Sequence, residues 1–146
     1  MTNPSQSPIV IVVSRSLARV IQLFGIYVII HGHYSPGGGF QGGALLAAGI
    51  LLLRMTEGME GSQVELPTAL AMPTAALGAL LFAVTGMAAW IGGGNFLEYA
   101  GLPIPGVEAV WLRHYGILVV EVGIGLAVTT ALVSIFDDLV GKGDHG

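Results

Sequence analysis

The sequence predicts an all-α, polytopic membrane protein with four transmembrane helices, and three observations carry that prediction. The 146-residue chain is 53% hydrophobic and only 10% charged, whereas soluble domains are about 25% charged. Its mean hydropathy is +0.80, and its apolar runs approach about 20 residues, the length that crosses a ~30 Å hydrocarbon layer. The third observation is residues 31–43, dense in glycine and polar groups, lying between two long apolar segments. Glycines there remove the bulk that keeps backbones apart, so the stretch is a place of close approach to another helix or to an ion.

The four helices are predicted over 8–32, 36–56, 72–91 and 111–136, as one membrane domain covering 1–146. No basic region precedes the first apolar run and no small-residue cleavage site follows it, so it reads as a retained helix and not a cleaved signal. Arg15 and Arg19 share one face of this helix. They are cheapest near the interface, where they snorkel and act as topology anchors; deep burial would require acidic partners on another helix.

Ser35-Pro36 has the form of a helix start, with serine as cap and proline at the first position. Gly38, Gly39, Gly42, Gly43 and Ala47 then build a small-residue ridge, and Pro36, Gly37 and Phe40 complete the motif. The alternative is a helix from Gly42 preceded by a re-entrant loop, tolerated only under protein cover. Arg54 marks the far end, before an acidic loop with Glu57, Glu60 and Glu65.

Pro73 opens the third helix and Gly92-Gly93-Gly94 closes it, with Ala75, Ala79 and Ala83 at helical spacing and Trp90 at the expected interface. The last helix ends at Asp137-Asp138, read as a solvated terminus. An even number of spans puts both chain ends on one side. Arg15, Arg19, Arg54 and Lys142 there outnumber Arg113 on the other, which predicts cytoplasmic termini.

Glu121 is the sharpest chemical candidate. It lies in an otherwise uncharged stretch of the fourth helix, near the bilayer centre, where a carboxyl costs at least a few kcal/mol unless neutral, paired or hydrated. It reads as a proton or sodium site, or as a protonated packing contact. His114 lies seven residues earlier on nearly the same face, and Gly125 and Thr129 continue that face inward. His31 and His33 flank Gly32 where the first helix leaves the membrane, and serve as end caps or as an outer proton relay. Their spacing does not define a metal site, and no cofactor is expected. Gly37 to Gly42 satisfies G-x-G-x-x-G, but a dinucleotide fingerprint must follow a strand, and here an apolar helix precedes it. The absence of cysteine excludes disulfides and thiolate metal sites. A net charge of −4 argues against nucleic acid. No nucleophile–base–orienter set suggests an enzyme.

The stretch Gly32-His33-Tyr34-Ser35-Pro36-Gly37-Gly38-Gly39-Phe40-Gln41-Gly42-Gly43, preceded by Leu23-Phe24-Gly25-Ile26-Tyr27-Val28, closely resembles the B subunit of multisubunit cation/proton antiporters of the Mrp or Mnh type. The resemblance is strongest over residues 8–53 and looser over 115–123. Many members carry an acidic residue nearer the start of the last span, in an F-D-x-G-V type of pattern. Arg113-His114-Tyr115-Gly116 departs from it, which leaves open whether Glu121 takes over that function. The resemblance implies a small multi-pass subunit of a cell-membrane assembly that exchanges sodium or another monovalent cation for protons, with other membrane subunits and lipid as its partners. The same module occurs in membrane-bound hydrogenases and related respiratory complexes. Two expectations follow: a subunit that contributes Glu121 to the ion path, with His114 or His33 as relay, or a structural scaffold whose glycine stretch docks against a larger pump subunit.

Overall fold

Proline at the first position of a helix sacrifices nothing, because that N–H has no intrahelical acceptor. Pro8 opens α1 (Pro8–Ile30) in this way. The computed structural model describes residues 7–32, 34, 37–62 and 65–143. Within them α1 is followed by α2 (Gly39–Ser62), α3 (Thr68–Ile91), a short 3-10 turn (Tyr99–Gly101) and α4 (Ala109–Gly143). No strand occurs among the described residues, and all four helices contain stretches long and apolar enough to cross a membrane.

Three helices, α2, α3 and α4, differ from expectation in where they begin or end. α2 begins at Gly39, while Ser35 and Pro36 lie outside the described residues. It continues past 56 to Ser62, with Gly58 (φ 82°, ψ 172°) breaking the helical path, a conformation open to glycine at little cost. α3 begins at Thr68 rather than at 72, because Pro67 provides the extended residue before the helix; Pro73 therefore lies inside it and forfeits one backbone bond. α4 runs on past 136 to Gly143, so Asp137-Asp138 is within the helix and not its end.

Lipid tails are as apolar as leucine, so membrane helices gain little by burying large apolar side chains against one another and instead pack through small residues. α1 follows this rule: Ser14, Ala18, Gly25 and Ile29 are buried, while Leu23, Phe24 and Val20 point outward. α1 runs antiparallel to α2, and a methyl group added at Gly42 would sit 2.7 Å from the Gly25 carbonyl. α3 runs antiparallel to α4, with Gly78 against Gly123 and Ala127. Its buried face is Ala71, Gly78, Gly86 and Ala89, and Ala79 is exposed, so the packed stripe is not the Ala75, Ala79, Ala83 line.

The two hairpins are joined by α2 and α4, which run parallel. Gly39 meets Glu121 and Ile124; Gly43 meets Gly125 and Val128. Ala47, Ile50 and Val133 form the buried cluster at mid-length. Arg54 pairs with Asp137 near the end that carries both termini. At the other end α4 starts twelve residues before Glu121, so the α1–α2 turn stops about 18 Å short of the start of α4 at 1.5 Å per residue. α1 and α2 are also tied by an exposed bidentate pair, in which Arg15 donates to Glu57 at 2.7 and 2.8 Å.

Candidate functional site

A helix leaves its first N–H groups without intrahelical acceptors, and its dipole makes that end attractive to a carboxylate. Gly39 begins α2 with no side chain of its own to cap these groups. α4 supplies one: the Gly39 N–H donates to Glu121 Oε2. Gly38 is also pressed against the carboxyl, and a methyl group on Gly32 would lie 3.0 Å from its carbon. Three glycines of the α1–α2 turn thus surround one half-buried carboxyl group, and any larger residue at 38 would displace it. Glu121 has about 18 Å of α4 on one side and about 24 Å of helix to Asp137 on the other. That places the carboxyl well inside the apolar length of α4.

Continuing along α4, the Thr129 hydroxyl lies 2.7 Å from the Gly125 carbonyl and 3.0 Å from the Gly43 carbonyl of α2. Its proton is engaged by these acceptors. His114 is one of an aromatic group near the start of α4, 6.0 Å from Trp111 and 5.6 Å from Tyr115 between ring centres. His31 folds back on its own helix: its Nδ1 is 3.0 Å from the Tyr27 carbonyl and its ring stacks on Tyr27 at 4.2 Å. His33 and Pro36 lie outside the described residues. Gly42 and Gly43 are buried against α1 and α4 respectively, Gly37 sits under the Gln41 side chain, and Phe40 points outward. Gly39, Gly42 and Gly43 of the ridge are therefore occupied by packing within this chain. No group of three His, Cys, Asp or Glu side chains able to hold a metal occurs among the described residues.

Two features carry no clear sequence signature. Tyr99, in the 3-10 turn, covers Gly116 of α4, and its phenol is pushed above the usual range, first by burial and then by the charge of Glu121. The larger omission is Asp137. Instead of a solvated terminus it is 5% exposed, and Arg54, 3% exposed, places Nε 2.8 Å from its Oδ1. The Thr68 hydroxyl donates to Asp137 Oδ2 at 3.5 Å, while Arg54 donates to Ser62 Oγ at 3.2 Å and to the Leu66 carbonyl at 2.8 Å. The available signal is a pair of opposite charges in apolar helices, fifteen residues beyond Gly39 on α2 and sixteen beyond Glu121 on α4.

With this geometry in view, comparison with known proteins is decisive. A family profile described as "Domain related to MnhB subunit of Na+/H+ antiporter" matches residues 9–134. The chain belongs to the MnhB family. Among its relatives, the B subunit of a Na(+)/H(+) antiporter from Bacillus subtilis (strain 168) is 30% identical over 122 residues, 79% of this chain and 85% of that protein. The protein of the same name from Alkalihalophilus pseudofirmus is 30% identical over 131 residues, 86% of this chain and 90% of its own length. Family membership and four membrane-length helices make this chain a multi-pass protein of the cell membrane. The match to the MnhB profile spans all of α3 and both partners of the Glu121–Gly39 contact, and stops short of Asp137.

Proposed function

We propose that the chain is a subunit of a multisubunit cation/proton antiporter, in which Glu121 contributes a carboxyl group to the ion path. The observation that carries this reading is the Glu121 carboxyl on the first backbone N–H of α2, inside the apolar length of α4. As a carboxylate, Glu121 accepts the Gly39 N–H and benefits from the helix dipole. Among the described residues, protonation removes that charge without stranding a buried counter-cation. A sodium ion or another monovalent cation and a proton would compete for the same oxygens, which is the elementary requirement of exchange. In this reading His114, on the stretch of α4 that extends past the α1–α2 turn, relays protons, and Thr129 lies two turns beyond Glu121 along the α2–α4 seam.

The scaffold reading has its own observation, since the same contact caps α2 and so holds the two hairpins together. Glu121→Gln separates the two. The glutamine carbonyl can still accept the Gly39 N–H, so the cap survives while titration is lost. Cation-dependent proton transport in vesicles carrying the whole complex, with assembly followed on native gels, is expected to fall by about two orders of magnitude or more with assembly intact, as loss of an acid–base group does. Normal transport across the pH range would leave the chain a scaffold, including in the membrane arm of a redox-driven complex.

A further inference from the structure

We infer that the buried Arg54–Asp137 pair is a positioning device that selects which turn of α2 faces Glu121. The α2–α4 seam repeats on both helices: Gly39, Gly43 and Ala47 on one side, Glu121, Gly125, Thr129 and Val133 on the other, each four residues apart. In parallel helices packed this way, a slip of one turn, about 5.4 Å, that brings Gly39 to Gly125 sets Gly43 against Thr129 and Ala47 against Val133, contacts that involve no charge. Small-residue packing therefore discriminates poorly between registers. The hydrogen bond from Thr129 to the Gly43 carbonyl discriminates little better, because every residue of α2 offers a carbonyl.

Arg54 and Asp137 are different. Both are buried, and their Nε and Oδ1 have each other and no hydrogen-bonding alternative. A slip of one turn would leave two unpaired charges in an apolar environment, which costs far more than the slip of a glycine ridge. The remaining contacts converge on the same place: Ser62 and Leu66 hold Arg54 from the end of α2 and the segment after it, and Thr68 holds Asp137 from the start of α3. Four segments thus meet at one ion pair. With that end fixed, the fifteen and sixteen residues of regular helix that follow carry the Gly39 N–H to the Glu121 carboxyl. Arg54 and Asp137 touch no transported ion in this scheme and act through Glu121, so the transport consequence rests on the ion-path reading above.

The test uses the absence of cysteine from the chain. Ala48→Cys on α2 and Val110→Cys near the start of α4, both exposed and far apart along the bundle axis, are spin-labelled in the assembled complex and their separation is measured by pulsed electron resonance. The pair is removed by Arg54→Met with Asp137→Leu, an apolar replacement that buried ion pairs tolerate. The expected result is an assembled complex with a second distance displaced by about 5 Å, one turn, and transport reduced about tenfold or more by misplacement of Glu121. Asp137→Glu alone, with Arg54 in place, keeps the pair and is expected to retain the single native distance and transport. A single native distance in the apolar double variant overturns the inference. So does its failure to assemble, because the pair would then be a requirement of packing and not of register. A split distance with normal transport would uphold the register assignment and sink the role of Glu121 in the ion path.

Discussion

The two ends of the α2–α4 seam each hold an acidic side chain of α4, Asp137 buried and Glu121 half-buried, and they do so by opposite means. Near the termini Asp137 faces a guanidinium; at the α1–α2 turn Glu121 faces the Gly39 backbone N–H and the positive end of a helix. Protonating Asp137 would leave Arg54, at 3% exposure, with the neutral acceptors Ser62 and Leu66 but without its counter-charge. Among the described residues, protonating Glu121 gives up the charge-assisted hydrogen bond to Gly39 and leaves no cation unpaired. A carboxylate held by dipoles can exchange its proton within a fixed frame, and one held by a buried cation can supply the frame. The difference sets a charge-paired end of the seam against an end where the carboxyl meets a backbone N–H.

Breaking the ion pair from one side should produce the largest effect. Asp137→Ala leaves Arg54 unpaired and is expected to cost about 3–5 kcal/mol, seen as loss of the complex on native gels or a large fall in its melting temperature. Wild-type stability in that variant would mean the pair is hydrated in the membrane, and the contrast between the two ends would dissolve. The opposite end should respond less. A methyl group introduced by Gly39→Ala meets the Glu121 backbone carbonyl and lies 2.8 Å from Ile124 Cβ, so overpacking of about 1–3 kcal/mol is expected, with reduced assembly and reduced transport in what does assemble. If Gly39→Ala were harmless while Glu121→Gln was not, the carboxyl would act without its backbone cradle.

Much of this arrangement is legible in the sequence. Helix number follows from apolar run length, and the importance of residues 31–43 follows from glycine density, because in lipid close packing is written in small residues. The isolation of Glu121 in an apolar span singles it out. Its partner does not show, since a backbone N–H carries no side-chain signature. Asp137 is hidden for a related reason: a carboxylate at the apparent end of an apolar run has the composition of a solvated terminus, and only the parallel pairing of α2 with α4 brings Arg54 to it. The α3 boundary moves because two prolines, Pro67 and Pro73, offer equally good starts and packing against α4 begins at the first.

A third carboxylate gives the comparison a control outside the membrane. Glu98 Oε2 accepts the Asn95 backbone N–H at 2.8 Å and the Asn95 side-chain amide at 2.9 Å, in the loop before α4. Like Glu121 it is held by an N–H and, among the described residues, by no direct salt bridge, but it is exposed. These hydrogen bonds, followed by the charge of Arg113, lower its pKa from the ordinary value of 4.5. A depressed value means the contact contributes fully above that ordinary value and is lost as pH falls through the depressed one. Hydrogen exchange at the Asn95 amide, corrected for its intrinsic pH dependence, should therefore accelerate only below pH 4.5, and Glu98→Gln should flatten that dependence with little change in assembly or transport. The expected effect is the smallest of the series, because water competes for every group involved. An Asn95 amide equally protected on both sides of that range would show that a carboxylate can lose its charge and still cap a backbone N–H, and Glu121 would then be free to cycle its proton without releasing α2 at all.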